Sequence, residues 1–339
     1  MRFRRRLWIV SLAAAILLGA AVTLTWYLAT RHLMMGFADW QASLRQSGWQ
    51  IDTGKPVASG WPFSATVTIP AVEIADGGRA VPGGVDWTAV RVRLRIAAWH
   101  PTTLVGSVEG RQSLGVGGET IEYAAERMAV AVPLKFGQPP RSADVTVTRL
   151  RVGTGGLESL HALLTFPPPT ETGASTVGIA LHAKAITLTG EAAKALGSRI
   201  TGLDLDAALS GTLAPNADPK TMAAAWRASG GSLHIRDFQL LWGPLDLTGS
   251  GTLALDENLQ PQGEGNAHAV GYAETLDALA SHAVMSRSAA TAAKAVLSLL
   301  ASYPANGGAP SVDVPLTLKD RTLAMHQVPL VRLPQIDLP

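Results

Sequence analysis

Eight histidines, His32, His100, His161, His182, His234, His268, His282 and His326, are the side chains best suited to acid–base or metal chemistry near neutral pH. No two of them stand three or four residues apart, so none has a second imidazole at helical spacing. His182 and His234 occupy the polar positions of alternating stretches, where solvated imidazole is the simplest reading. Asp204 and Asp206 likewise share one strand face, at the spacing of ordinary surface carboxylates. Carboxylates gathered from separate strands would be the remaining route to hydrolysis. The chain has no cysteine. That excludes disulfides, thiolate metal sites, cysteine nucleophiles and a lipid-modified N-terminal cysteine. The GxSxG elbow, the HExxH zinc motif and the phosphate-cradling GxxxxGK followed by Ser or Thr are all missing. The residues name no catalytic set, no metal and no cofactor, and the expectation is a protein that is not an enzyme.

One cluster could recognise anions. In AVRVRLRIA, Ala89 to Ala97, the side chains of Arg91, Arg93 and Arg95 point one way. Val90, Val92, Leu94 and Ile96 point the other. Such a ladder could hold phospholipid head groups, or form a solvated strand face paired with acids on its neighbour. Charge elsewhere is balanced. Without Arg2, Arg4, Arg5 and Arg6, 24 basic residues face 26 acidic ones. The basic balance therefore flanks an apolar run and does not make a nucleic-acid surface.

That run, Leu7 to Leu28, carries no charge. Its 22 residues extend about 33 Å as a helix, against a hydrocarbon core of about 30 Å. Trp8 stands at one end and Trp26 and Tyr27 at the other, as interfacial aromatics do. With the arginines kept cytoplasmic, residues 1–28 read as an inner-membrane anchor and the body as periplasmic. The rival reading is a signal peptide cleaved after Gly19-Ala20-Ala21. Residues 29–48 form a second helical pattern, with Leu33, Phe37, Trp40 and Leu44 on one face and Gly48 as terminator. It reads as a stalk packed on the body, with a helix lying on the membrane surface as the alternative.

Residues 49–339 alternate with period two, the pattern of antiparallel strands with one buried and one wet face. Phe63, Ala65, Val67 and Ile69 share a face, as do Leu203, Leu205, Ala207 and Leu209. Leu233 and Ile235 give way to Phe238, Leu240 and Trp242, a phase slip near Asp237 that marks a bulge. Leu245, Leu247, Gly249, Gly251 and Leu253 continue the pattern after Gly243-Pro244. Strands are expected around 104–108, 114–116, 119–132, 144–152 and 157–166. Pro167-Pro168-Pro169 suggests a subdivision near 167–175. Short helices are expected after Asp218 and over 272–302, the latter broken near Met285 to Ser288. Trp226 and Trp242 are expected to be buried.

The expected architecture is mainly β. An N-terminal transmembrane helix leads into a long, curved antiparallel sheet, an open groove or incomplete barrel, with a few packed helices. Leu205, Leu209, Leu247, Gly249, Gly251 and Leu253 are the candidate apolar groove, the glycines leaving room for a ligand or for close packing.

Several stretches carry a resemblance. Gly48-Trp49, Gly60-Trp61-Pro62-Phe63, the run from Ala224 to Gly231, Trp242-Gly243-Pro244-Leu245, Gly251 to Asp256 and Arg332-Leu333-Pro334 resemble the bacterial envelope family known as domain of unknown function 2125. The resemblance implies an envelope protein and offers no catalytic residues. The architecture is also similar to that of the larger AsmA-like envelope proteins, whose curved sheets form lipid-conducting grooves. The expected function is a membrane-anchored periplasmic protein that binds or shields an apolar ligand such as lipid, or assists envelope assembly with envelope protein partners. A self-filled scaffold is the alternative and a hydrolase with a noncontiguous site a third.

Overall fold

The computed structural model describes residues 2–76, 84–135, 137–166, 175–212, 219–303, 309–325 and 328–336. Backbone alone is described for residues 2–11, 175–176 and 328–331. Arg2, Arg4, Arg5, Arg6 and Trp8 thus have no side-chain account, and the cap Asp218 and the boundary at 167–174 lie outside the described residues.

Anchor and stalk are one uninterrupted helix, α1 (Arg2–Gln46). The junction around Leu28 to Arg31 contains neither proline nor glycine, so nothing breaks the hydrogen-bond ladder there. Gly48 ends the helix at φ +87°, with its amide on the Arg45 carbonyl and the Trp49 amide on that of Leu44. In the first half of α1 the side chains from Leu12 to Leu18 are all exposed. The second half lies on the sheet and buries Leu33, while Phe37 and Trp40 stack at 5.7 Å.

The body opens with β1 (Gln50–Asp52), β2 (Val57–Ser59), β3 (Ser64–Ala75), β4 (Val85–Ala97) and β5 (His100–Val116). It continues through β6 (Glu119–Ala124), β7 (Arg127–Pro133), β8 (Ser142–Val152), β9 (Gly155–Thr165) and β10 (Ser175–Thr187). Helix α2 (Glu191–Leu196) precedes β11 (Arg199–Gly211), and α3 (Pro219–Ala228) precedes β12 (Ser232–Trp242), β13 (Leu245–Leu255) and β14 (Pro261–Val270). Helices α4 (Tyr272–Ser281) and α5 (Arg287–Leu300) follow, then β15 (Ala301–Ser302), β16 (Ser311–Lys319), β17 (Thr322–Met325) and β18 (Val328–Arg332). Every pairing is antiparallel and most join strands adjacent in sequence, so the chain meanders into one open sheet. Strands β9 and β10, on either side of 167–174, pair directly.

Several expectations change in detail. Two expected strands merge into β5, and one expected strand divides into β6 and β7, because β6 and β7 pair with successive halves of β5. The phase slip near Asp237 is a register shift on both sides of β12, between Asp206 and Ala207 and between Ile235 and Phe238. Shifts of this kind bend a strand and increase its twist. A similar shift between Ala89 and Arg91 takes Val90 out of phase, leaving it 56% exposed instead of facing inward. Phe63 precedes β3 in a turn and is exposed, unlike Ala65, Val67 and Ile69. Trp226 and Trp242 are half-buried, because each indole lies at an element end and donates to a carbonyl, of Ser210 and Gly197 respectively, both at 2.7 Å.

Candidate apolar groove

Cross-strand partners lie on the same face of a sheet, so the registers define one side across its whole width. Ile69, Val92 and Val108 share a row. Val145 pairs with Ala162, which pairs with Leu181, which pairs with Leu205, which pairs with Phe238. Phe238 pairs with Gly249, Gly249 with Ala267 and Ala267 with Val314. Val108 pairs with Met128 and Met128 with Val147, two residues along β8 from Val145, so a mostly apolar face runs from β3 to β16. At about 4.8 Å per strand this exceeds 50 Å.

Helices cover that face at its ends. At one end α1 packs Leu33 against Ala65, Val67, Ile69 and Val72. At the other, Tyr272 of α4 and Val296 and Leu297 of α5 pack on Val312, Val314 and Met325. Among the described residues, β6 to β13 contribute to neither buried cluster. Their apolar face has a low floor of buried small residues, Ala162, Ala183 and Ala207. Larger neighbours, Leu160, Leu181, Leu203, Leu205 and Leu240, stay half-buried.

Two cavities open on this face. One of about 540 Å³ lies under α1, between Leu33, Gly36, Phe37 and Trp40 and the strand residues Ile69, Val72, Ile74, Trp87, Val92 and Leu104. The other, about 310 Å³, is walled by Ile235, Phe238, Leu247, Leu253, Leu316, Leu318 and Leu323. Its floor is Gly249, Gly251, Gly263 and Gly265. Those glycines answer a close approach of backbones. A Cβ on Gly251 would stand 2.7 Å from the Glu264 carbonyl oxygen, and one on Gly265 2.5 Å from that of Ser250.

Of the six groove residues named from the sequence, Leu247, Gly249, Gly251 and Leu253 line this second cavity. Leu205 and Leu209 share the face, opposite Phe238 and Leu233. Sequence reading missed the cavity under α1, because a helical stripe says which face is apolar and not how tightly it seats. It also missed Gln112, which pairs across with Ala89 and so lies in the row of Val72. Gln112 is 2% exposed, and neither its amide oxygen nor its nitrogen has a partner among the described residues. An unpaired buried amide costs about 1–3 kcal/mol.

The opposite face is polar. Arg91 and Arg93 both pair with Glu109, at 3.4 and 2.7 Å. Arg95 lies 5.8 Å from the centroid of the Trp99 ring. Arg93 and Arg95 border a polar cavity of about 450 Å³ with Ser64, Thr66, Glu109, Glu126 and Arg127. Arg149 is bonded to Glu126, which raises the guanidinium pKa by hydrogen bond and charge. His161 meets Asp144 at 3.0 Å, His182 meets Asp204 at 2.6 Å and His268 meets Asp313 at 2.8 Å. All six of these side chains are substantially exposed, the setting of solvated cross-strand pairs. No group of three or more His, Asp or Glu side chains among the described residues could hold a metal.

Fold and site together define an open, helix-ended antiparallel sheet with one mostly apolar face, carried on an apolar helix long enough to cross a membrane. The chain belongs to a family described as an uncharacterised protein conserved in bacteria, DUF2125, whose match spans residues 26–334. No curated protein and no solved structure matches it.

Proposed function

We propose that this is an inner-membrane-anchored periplasmic protein whose apolar face holds lipid acyl chains. The observation that carries the reading is the continuity of that face between its helix-covered ends. Shielding half-buried leucines from water would stabilise the complex by roughly 25 cal/mol per Å² of apolar area covered. An acyl chain is a ligand that matches a long, mostly aliphatic surface. The basic N-terminus before an uncharged span supports a cytoplasmic start and an exported body. The buried clusters beneath the helices favour a second reading, a scaffold for envelope assembly that carries no ligand.

Native mass spectrometry of the full chain, moved from detergent into amphipol, separates the two. The lipid reading predicts a protein peak with bound phospholipid, lost on Leu205→Arg. A wild type seen only at its bare mass supports the scaffold.

A further inference from the structure

Around the point where α1 meets the sheet, three large aromatic side chains stand in the open. Trp61 is 57% exposed, Phe63 67% and Trp99 60%. All belong to turns at one end of the sheet. Trp61 and Phe63 lie in the turn before β3, and Trp99 lies in the hairpin between β4 and β5. The Ala98 amide donates to the Phe63 carbonyl at 2.9 Å and joins the two turns. Isolated exposed aromatics are ordinary, but three on adjoining turns form a patch that calls for a partner.

The same turns are fastened to α1. The Trp61 indole donates to the Thr23 hydroxyl at 3.2 Å, and the Trp26 indole donates to the Ser64 carbonyl at 3.0 Å. Thr23 lies within the uncharged run that ends at Leu28, about 7.5 Å before its end at 1.5 Å per residue. If that run spans the bilayer, Trp61 reaches the depth where a helix passes from hydrocarbon into head groups. Arg95 over the Trp99 ring places a cation beside the patch. Tryptophan with a neighbouring arginine is the composition of a membrane-interface anchor.

We propose that Trp61, Phe63 and Trp99 seat this end of the sheet in the outer interface of the membrane that α1 crosses. The bound surface is phospholipid: aromatic rings among the upper acyl chains, Arg95 toward a phosphate. Ile96 and Leu104, on the apolar face, pair next to the Trp99 hairpin, so the groove would begin at the bilayer surface. The proposal rests on the membrane-anchored reading above and supplies the place where an acyl chain would pass from bilayer to protein.

The absence of cysteine makes the test direct, because single cysteines can be spin-labelled without background. The full chain is reconstituted in vesicles of phosphatidylethanolamine and phosphatidylglycerol, labelled through Leu24→Cys, Phe63→Cys, Trp99→Cys or Val116→Cys. Collisions with oxygen, which concentrates in the bilayer, are compared with those of a water-soluble nickel chelate. Val116 ends the strand that His100 begins, about 50 Å from the aromatic patch at 3.4 Å per residue. Oxygen-dominated collisions at 24, 63 and 99, with nickel-dominated collisions at 116, are expected. Nickel-dominated collisions at 63 and 99 with position 24 still in oxygen would overturn the seating and leave the anchor intact. A water-exposed label at 24 would remove the anchor, and the seating with it.

Discussion

Gly251 carries two demands at once: it lies on the floor of an apolar cavity and faces the backbone of β14. Its Cβ would sit 3.0 Å from the Gly265 Cα as well as 2.7 Å from the Glu264 oxygen. Gly251→Leu is therefore expected to cost about 1–3 kcal/mol whether or not the groove takes a ligand, read as a lowered Tm. An unchanged Tm would show that the strands can part. Gln112→Met makes the opposite case. Removing an unpaired buried amide should raise the stability of the lipid-free chain by about 1 kcal/mol or more; a clear loss in urea unfolding would mean that the amide has a partner in solution. Glu109→Gln, which leaves Arg91 and Arg93 without their shared carboxylate, should shift stability by less than about 1 kcal/mol at this half-exposed site. Alternation in the sequence was enough to separate these arginines from the aliphatic side of β4. It could not disclose Glu109 as their partner, because that pairing depends on register across a hairpin.

Among the elements, α5 shows how a helix spends one face on the sheet. Leu297 packs into the cluster around Val312 and Val314, whereas Leu299 is 87% exposed. Leu297→Ala is expected to cost about 2 kcal/mol and Leu299→Ser almost nothing; equal costs in urea denaturation would place α5 elsewhere. Trp226→Phe on α3 should lose about 1 kcal/mol, the indole's hydrogen bond to Ser210, with the full 3–5 kcal/mol of a buried ring counting against its half-buried position. The helix break near Met285 to Ser288 was legible, since Ser286 caps α5 by accepting from the Ala289 amide at 3.2 Å. Helix α2 was not, being only six residues long and rich in alanine. The continuity of α1 was hidden for another reason. A change from apolar to amphipathic pattern looks like a boundary, yet the backbone has no cause to break there.

At the scale of the molecule, period-two alternation and its phase slips made the sheet readable, while the placing of helices at the two ends of one face was not. End placement follows from contacts between residues far apart in sequence, such as Leu33 with Val72 or Tyr272 with Met325. That placement leaves the middle of the apolar face outside both buried clusters. The most direct test of the lipid reading is photocrosslinking in intact cells, with a benzophenone amino acid replacing Leu205, Leu247 or Ser250 in turn. Leu205 and Leu247 lie on the apolar face, and Ser250 lies exposed on the polar one. Light-dependent phospholipid adducts at 205 and 247, and none at 250, are the predicted result. A folded, membrane-bound protein with no adduct at 205 and 247, or with equal adducts on both faces, would contradict the account.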